Sequence, residues 1–572
     1  MFRFREVLLS SLILTSMASP AADTADVQGG AGALEEIIVT AQRRTERLQD
    51  VPISVSAMSQ ATMDAQGTRS IDDVARLTPS VSFSRGTVNN NFETSNISIR
   101  GIDSSAGAAT TGLYIDDTPI QSRHLSFGTF NAYPALFDME RVEVLRGPQG
   151  TLFGAGSEGG TLRFIAPEPN LTKSSLYARA EAAGTQHGDP VYELGVAGGT
   201  PLIEDKLAIR ASVSGRREGG YIDRYDWRTN TLADERANSN KTVTARVALK
   251  WAATDSLSVT PSVYYQKRTV DDTSAYWSIV PTSADPAGGL FTPRFRTGNA
   301  LATSNEDKFT LAALKLEWSL GAVQLVSSTS YYDRKQSAIS DYTQFDRSIF
   351  LATPFFDTGN NVAPTEWADQ QKNFTQEIRL QSTDAAARLN WTAGVFFQRA
   401  KENTVENVYD PALLTFFGVP GTDGYIYRQD PFDSVDKQLA LFGQVDFKIT
   451  DKLKIIGGVR VSKTEYEGNA QYSGFVLFGP PVSSTGKITE HPVTPRFGLE
   501  YRVDPDNLLY LTIAKGFRIG GANPKVGTTC INDLTNYGLS DVPPQYSSDS
   551  LWSYEVGSKN QFADRRVLLN AS

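Results

Sequence analysis

The chain has 572 residues, 40% of them hydrophobic, which is too long for one ordinary compact domain and rich enough to build a core. A formal net charge of -9 argues against the basic face that a nucleic-acid partner requires. Three scattered histidines (His124, His187 and His491) offer no spacing for a dedicated metal centre, and the single Cys530 cannot form a disulfide within the chain.

At the N-terminus Arg3 and Arg5 precede an apolar run from Val7 to Ala18, followed by the small residues Ser19-Pro20-Ala21-Ala22. That order predicts a cleaved export signal over residues 1–22, because about 12 apolar residues fall short of the roughly 20 that a membrane-spanning helix needs. No other stretch could span as a helix, so any membrane insertion has to use strands. Residues 23–50 form a tether that carries Glu35-Glu36-Ile37-Ile38-Val39-Thr40-Ala41-Gln42, a β-prone run between flexible glycines and Arg43-Arg44. By itself such a run is either an ordinary edge strand or a segment that adds to the sheet of a partner.

Residues 51–169 read as a small mixed α/β domain. Val51–Ala57 alternates, Ser59 caps a short helix that Gly67 ends, and Ser70 with Asp73 has capping-box spacing before Val74, Ala75 and Leu77, stopped by Pro79. Short β runs follow at Ile97–Ile99, Leu113–Ile115 and Val142–Leu145, and Asp116-Asp117 reads as a turn. Gly154-Ala155-Gly156-Ser157-Glu158-Gly159 is a literal G-x-G-x-x-G, but β-prone residues and prolines follow it where a dinucleotide site needs a helix, so its glycines are assigned to tight turns. No Ser/His/acid set has a recognisable order, and nothing asks for a cofactor.

From residue 170 to 572 the period is two. Leu207, Ile209, Ala211 and Val213 alternate with Ala208, Arg210, Ser212 and Ser214; Leu439, Leu441, Val445 and Phe447 are opposed by Gln444, Asp446 and Lys448. Very short turns such as Glu204-Asp205-Lys206 and Thr450-Asp451-Lys452 alternate with long polar connections such as Arg268–Lys308 and Ala400–Lys437, and aromatics gather at strand ends. Short turns on one rim and long loops on the other predict an antiparallel transmembrane β-barrel. Fourteen strands are legible and a fifteenth begins near Arg566, so the expectation is a barrel wall that stops short of closure at Ser572.

Four ordered motifs carry a family resemblance: Val51-Pro52-Ile53-Ser54-Val55, Asn96-Ile97-Ser98-Ile99-Arg100-Gly101, Leu113-Tyr114-Ile115-Asp116-Asp117-Thr118-Pro119 and the run from Arg141-Val142-Glu143-Val144-Leu145-Arg146-Gly147-Pro148 to Gly154. They resemble the plug domain of TonB-dependent outer-membrane receptors, and Gln376-Glu377-Ile378-Arg379-Leu380 and Gly516-Phe517-Arg518 resemble that family's barrel. The resemblance implies a mainly β protein, with a plug in the lumen of a barrel of about 22 strands, of which about 14–15 are present here.

It further implies that Glu36, Ile37, Ile38, Val39, Thr40 and Ala41 correspond to the TonB box, gripped from the periplasm by TonB to energise uptake of a scarce ligand. An iron–siderophore complex is the leading ligand class; haem, cobalamin, oligosaccharides and plant aromatics remain open. A signalling receptor is the rival reading, disfavoured by the short stretch ahead of Glu35, and a truncated fragment is another. The implied setting is a monomer in outer-membrane lipid, with no nucleic acid, cofactor or metal. Arg85, Asn91, Arg123 and His124 are candidates to face the ligand, while Arg100, Arg141 and Arg146 are expected to pair with barrel-wall acids and hold the plug. Arg163 stands where the family pattern suggests a small or amide residue, and Ser572 where an aromatic is usual.

Overall fold

The computed structural model describes residues 36–572 except 89–91, 105, 124, 126–130, 227–230, 278, 283–284, 292–293, 352–360, 420–422 and 526–530. The signal segment, Asn91, His124 and Cys530 therefore lie outside the described residues, as does the side chain of Arg85.

The N-terminal part is built on a five-stranded sheet in the order Val55–Ser59, Arg141–Arg146, Gly160–Ile165, Thr111–Ile115, Thr118–Pro119. Helix Gln60–Ala65 starts where Ser59 Oγ accepts from the Thr62 amide at 3.2 Å. Helix Ile71–Leu77 carries the full capping box, with the Asp73 carboxylate accepting from the Ser70 amide at 3.1 Å. Its inner face, Ile71, Val74 and Ala75, is buried. Asp116, with φ of 52°, turns the chain between the last two strands.

Around this unit runs one large antiparallel sheet. Fifteen strands follow each other along it from Ser175–Ala183 to Val567–Ala571, and Val482–Glu490 branches from Leu453–Ser473. Those first and last strands form its two edges. Strands reach 24 residues, in Tyr425–Lys448, whereas about 9–11 suffice to cross a bilayer, so the wall extends well beyond the hydrocarbon layer. Among the described residues no helix is long and apolar enough to cross a membrane.

The direction of the alternation is decisive. In Tyr425–Lys448 the apolar Leu439, Leu441 and Val445 point outward and are 51%, 67% and 45% exposed, while Gln438, Gln444 and Asp446 are buried on the inner face. Val243, Val247 and Trp251 repeat the pattern in Asn240–Ala252. A soluble sandwich would do the reverse; an apolar band outside and a polar lining inside suit lipid around a lumen. The plug core continues into that lumen, where Leu113, Val142, Leu162 and Phe164 share one cluster with the inward-facing Tyr264, Phe309 and Tyr332 of the wall.

Several long connections hold structure that the polar reading of them did not foresee. They contain helices Thr343–Leu351 and Pro411–Phe416 and the small sheet of Asp223–Asp226, Thr231–Asp234 and Arg296–Thr297.

Candidate functional site

The segment from Glu36 to Ala41, expected to be the box, is docked. Ile38 and Val39 pair with Arg47 and Glu46, Val39 and Ala41 are fully buried, and Ile38 stays 39% exposed at the surface. Thr40 is held by three plug side chains. Its amide donates to Glu143 Oε1 at 2.8 Å, Arg163 Nη1 donates to its carbonyl and hydroxyl at 2.9 and 2.7 Å, and Arg141 Nη2 donates to the hydroxyl at 3.2 Å. Burial alone would raise the pKa of Glu143, but Arg163 and Arg141 outweigh it and hold the carboxyl below its ordinary value.

Arg43 makes the second fastening. Its guanidinium lies over the Phe153 ring at 4.3 Å and reaches Asp117 at 2.6 Å and Glu377 of the wall at 3.4 Å. Asp117, at the tip of the Asp116 turn, also meets Arg379 of the wall at 3.2 Å and Arg163 at 3.5 Å. Burial opposes ionisation there too, and Arg379, Arg43 and Arg163 together drive the pKa well below the ordinary range. One carboxylate thus joins the box segment, the plug sheet and the barrel. Asp116-Asp117 was legible as a turn, but its partners lie 74 and 262 positions away and left no local sign. Arg163, which departs from the family pattern, is a working part of this network.

The expected plug-to-wall contacts divide. Arg100 pairs with Glu555 of strand Asp549–Phe562, whose carboxylate also accepts from the Ser54 amide at 2.9 Å. Among the described residues Arg141 and Arg146 make no ion pair with a wall acid. Arg141 pairs with Glu140 and Glu143, the latter two residues along the same face of its own strand, at 2.8 Å. Arg146 donates to the Pro79 carbonyl and Ser56 Oγ at 3.2 and 3.3 Å, both within the plug.

Arg123, considered as a ligand contact, is buried instead. It binds Asp436 through two nitrogens at 3.0 and 2.9 Å, its amide donates to Glu402 at 3.0 Å, and its guanidinium sits 4.3 Å from the Tyr466 ring centre. It is a plug-to-wall tie.

The glycine-rich run serves close approach. Gly154 has φ of +79°, and a Cβ there would meet Arg460 Nη2 at 2.8 Å, so only glycine lets the turn lie against this wall arginine. Near the long-loop rim, Tyr342, Trp367, Leu413, Leu414 and Ile426 form an apolar cluster that sequence spacing did not reveal.

A plug sheet inside a lipid-facing barrel, with an N-terminal strand fastened beneath it, defines a class of plugged outer-membrane receptors. Residues 47–161 match the family model for the TonB-dependent receptor plug domain and residues 268–572 the model for the TonB-dependent receptor-like β-barrel, and the chain belongs to the TonB-dependent receptor family.

Among curated proteins it is 23% identical to the pesticin receptor of Yersinia pestis over 99% of this chain and 73% of that one, and 23% identical to the ferripyoverdine receptor of Pseudomonas aeruginosa over 93% and 59%. Among solved structures, the ferric yersiniabactin uptake receptor of Yersinia pestis aligns with a TM-score of 0.69 at 16% identity, covering 90% of this chain and 70% of that one. The ferripyoverdine receptor bound to ferripyoverdine gives 0.68 at 17%, covering 96% and 66%.

Proposed function

We propose that this protein takes up an iron–siderophore complex across the outer membrane, with TonB gripping Glu36 to Ala41 from the periplasmic side. The observation that carries the reading is the shared fastening at Asp117, because traction on the box reaches the plug sheet through Thr40 and, through Arg43, the plug turn and the wall. The names of the relatives, which include ferripyoverdine and ferrichrome receptors, support iron as the cargo. The working division of the chain is signal peptide 1–22, tether 23–50, plug 51–169 and barrel 170–572. Ligand contacts fall to plug apices and outer loops, where Arg85, Asn91 and His124 stay candidates.

In cells expressing the receptor, Ile38→Pro removes a backbone donor and stiffens the box, and uptake of the ferric complex should be abolished while surface binding persists. Unchanged uptake would sink the mechanism. Growth under iron limitation that does not depend on the gene would sink the choice of cargo.

A further inference from the structure

We infer that the receptor carries an inward-side station for an anionic group, centred on Arg246, in the cavity between the plug and the wall strands Asn240–Ala252 to Pro364–Ser382. The inference rests on the uptake reading and narrows the cargo to chelates that bear negative charge. The cavity encloses about 1490 Å³ of empty space, part of it open to solvent. It lies toward the short-turn rim, since Glu317 and Gln324 of its lining flank the turn between Asn305–Leu320 and Val323–Asp341. Ile38 and Thr40 of the box contribute to its wall, so undocking the box widens it. A ligand arriving from the long-loop side meets this space after passing the plug.

Its lining holds eight cationic side chains and five carboxylates, and Glu143, Glu377 and Asp446 behind the lining pair with further cations. Most of those cations have acidic partners. Arg43, Arg163 and Arg379 share Asp117, while Lys250 and Lys315 share Glu168 at 2.7 and 2.9 Å. Arg246 differs. It is 9% exposed, its Nη1 donates to the Pro167 carbonyl at 2.9 Å, and no carboxylate among the described residues stands within ion-pair distance. Asp116 acts on it only from farther off, and accepts from the Ala166 amide at 2.9 Å.

An arginine cannot shed its proton, so a buried guanidinium lacking a carboxylate is costly unless water or an anion completes it. Its planar fork matches a carboxylate through two parallel hydrogen bonds. Lys250, four residues along the same inner face of the strand, adds a second positive charge. The outer cavity, of about 1180 Å³, contrasts with this, because its Arg216 is met by Glu181, Glu193 and Glu218 and its Arg334 by Asp307. Within the inward cavity, Arg246 is the cation left without a carboxylate among the described residues.

The test uses the full chain in detergent micelles at low ionic strength, with iron-free citrate as the probe and titration calorimetry as the readout. Citrate should bind; Arg246→Gln should weaken it at least about tenfold, and Arg246→Lys, which keeps the charge, should weaken it less. Lys487→Gln, an equal change of charge on the outer strand Val482–Glu490, should leave the affinity unchanged. No binding to the native chain, or equal binding by native and Arg246→Gln protein, overturns the station, as does equal loss on Lys487→Gln. The assay involves neither iron nor TonB. Intact citrate binding with growth independent of the gene would therefore remove the uptake reading alone.

Discussion

The plug meets the wall in two different ways. Toward strands Leu257–Val270, Asn305–Leu320 and Val323–Asp341 the contact includes an apolar seam, in which Tyr264 stacks on Phe309 at 5.6 Å, Phe309 meets Tyr332 at 5.4 Å and all three join the plug core, beside polar ties such as Lys315 to Glu168. Toward Tyr425–Lys448 and Asp549–Phe562 the ties at Asp436 and Glu555 are ionic, made by Arg123 and Arg100. An apolar contact resists separation because water gains nothing from it, whereas an ionic tie can exchange its partner for water or another charge. The aromatic seam is built to stay and the ionic ties to be renegotiated.

The largest effect expected is on the apolar flank. Phe309→Ala should destabilise the receptor by about 3–5 kcal/mol through a cavity at the seam, read as a lower melting temperature in detergent. A loss under about 1 kcal/mol would mean that the plug does not lean on this wall.

Next, Arg123→Ala leaves Asp436 without its plug partner, while Glu402 keeps its bond from the backbone amide, and should cost about 3 kcal/mol, with surface binding of the ferric complex retained. Loss of surface binding at full stability would restore Arg123 to the ligand site.

A pH series sharpens the comparison further. The pKa of both Glu143 and Asp117 is depressed in the folded chain, so each contributes stability above its unfolded value and loses it as pH falls through the folded one. Protease access to the box should therefore stay low at pH 5 and rise only below the ordinary glutamate value of 4.5. Box release between pH 7 and 5 would contradict the paired state of both groups.

The smallest effect belongs to Arg100→Gln, at about 1 kcal/mol, because Arg100 is partly exposed and Glu555 keeps its bonds from the Ser54 amide and the Tyr510 hydroxyl.

Local chemistry was readable in the sequence and distant pairing was not. The capping box at Ser70 and Asp73, the turn at Asp116-Asp117 and the outward stripe of Leu439, Leu441 and Val445 each depend on neighbours within a few residues, so spacing announced them. The partners of Arg100 and Arg123 lie 455 and 313 positions away, and an arginine looks the same in sequence whether its acid sits in the plug or the wall. That is why Arg141 and Arg146 were placed against the barrel and Arg123 against the ligand. Helix Pro411–Phe416 escaped notice for a related reason. It is held by Asp410 accepting from the Leu413 amide and by burial of Leu413 and Leu414 in a loop cluster that exists only once the strands have assembled.

The bond from the Ser54 amide to Glu555 spans 501 residues, and that from Lys559 Nζ to the Leu48 carbonyl spans 511. The start of the plug and the tether before it are thus completed by a strand about 500 residues later in the chain. Contacts of such separation form late, since the intervening chain must be ordered before they can close. Seating of the plug then doubles as a check on assembly: these bonds close only where strand Asp549–Phe562 has taken its place in the wall.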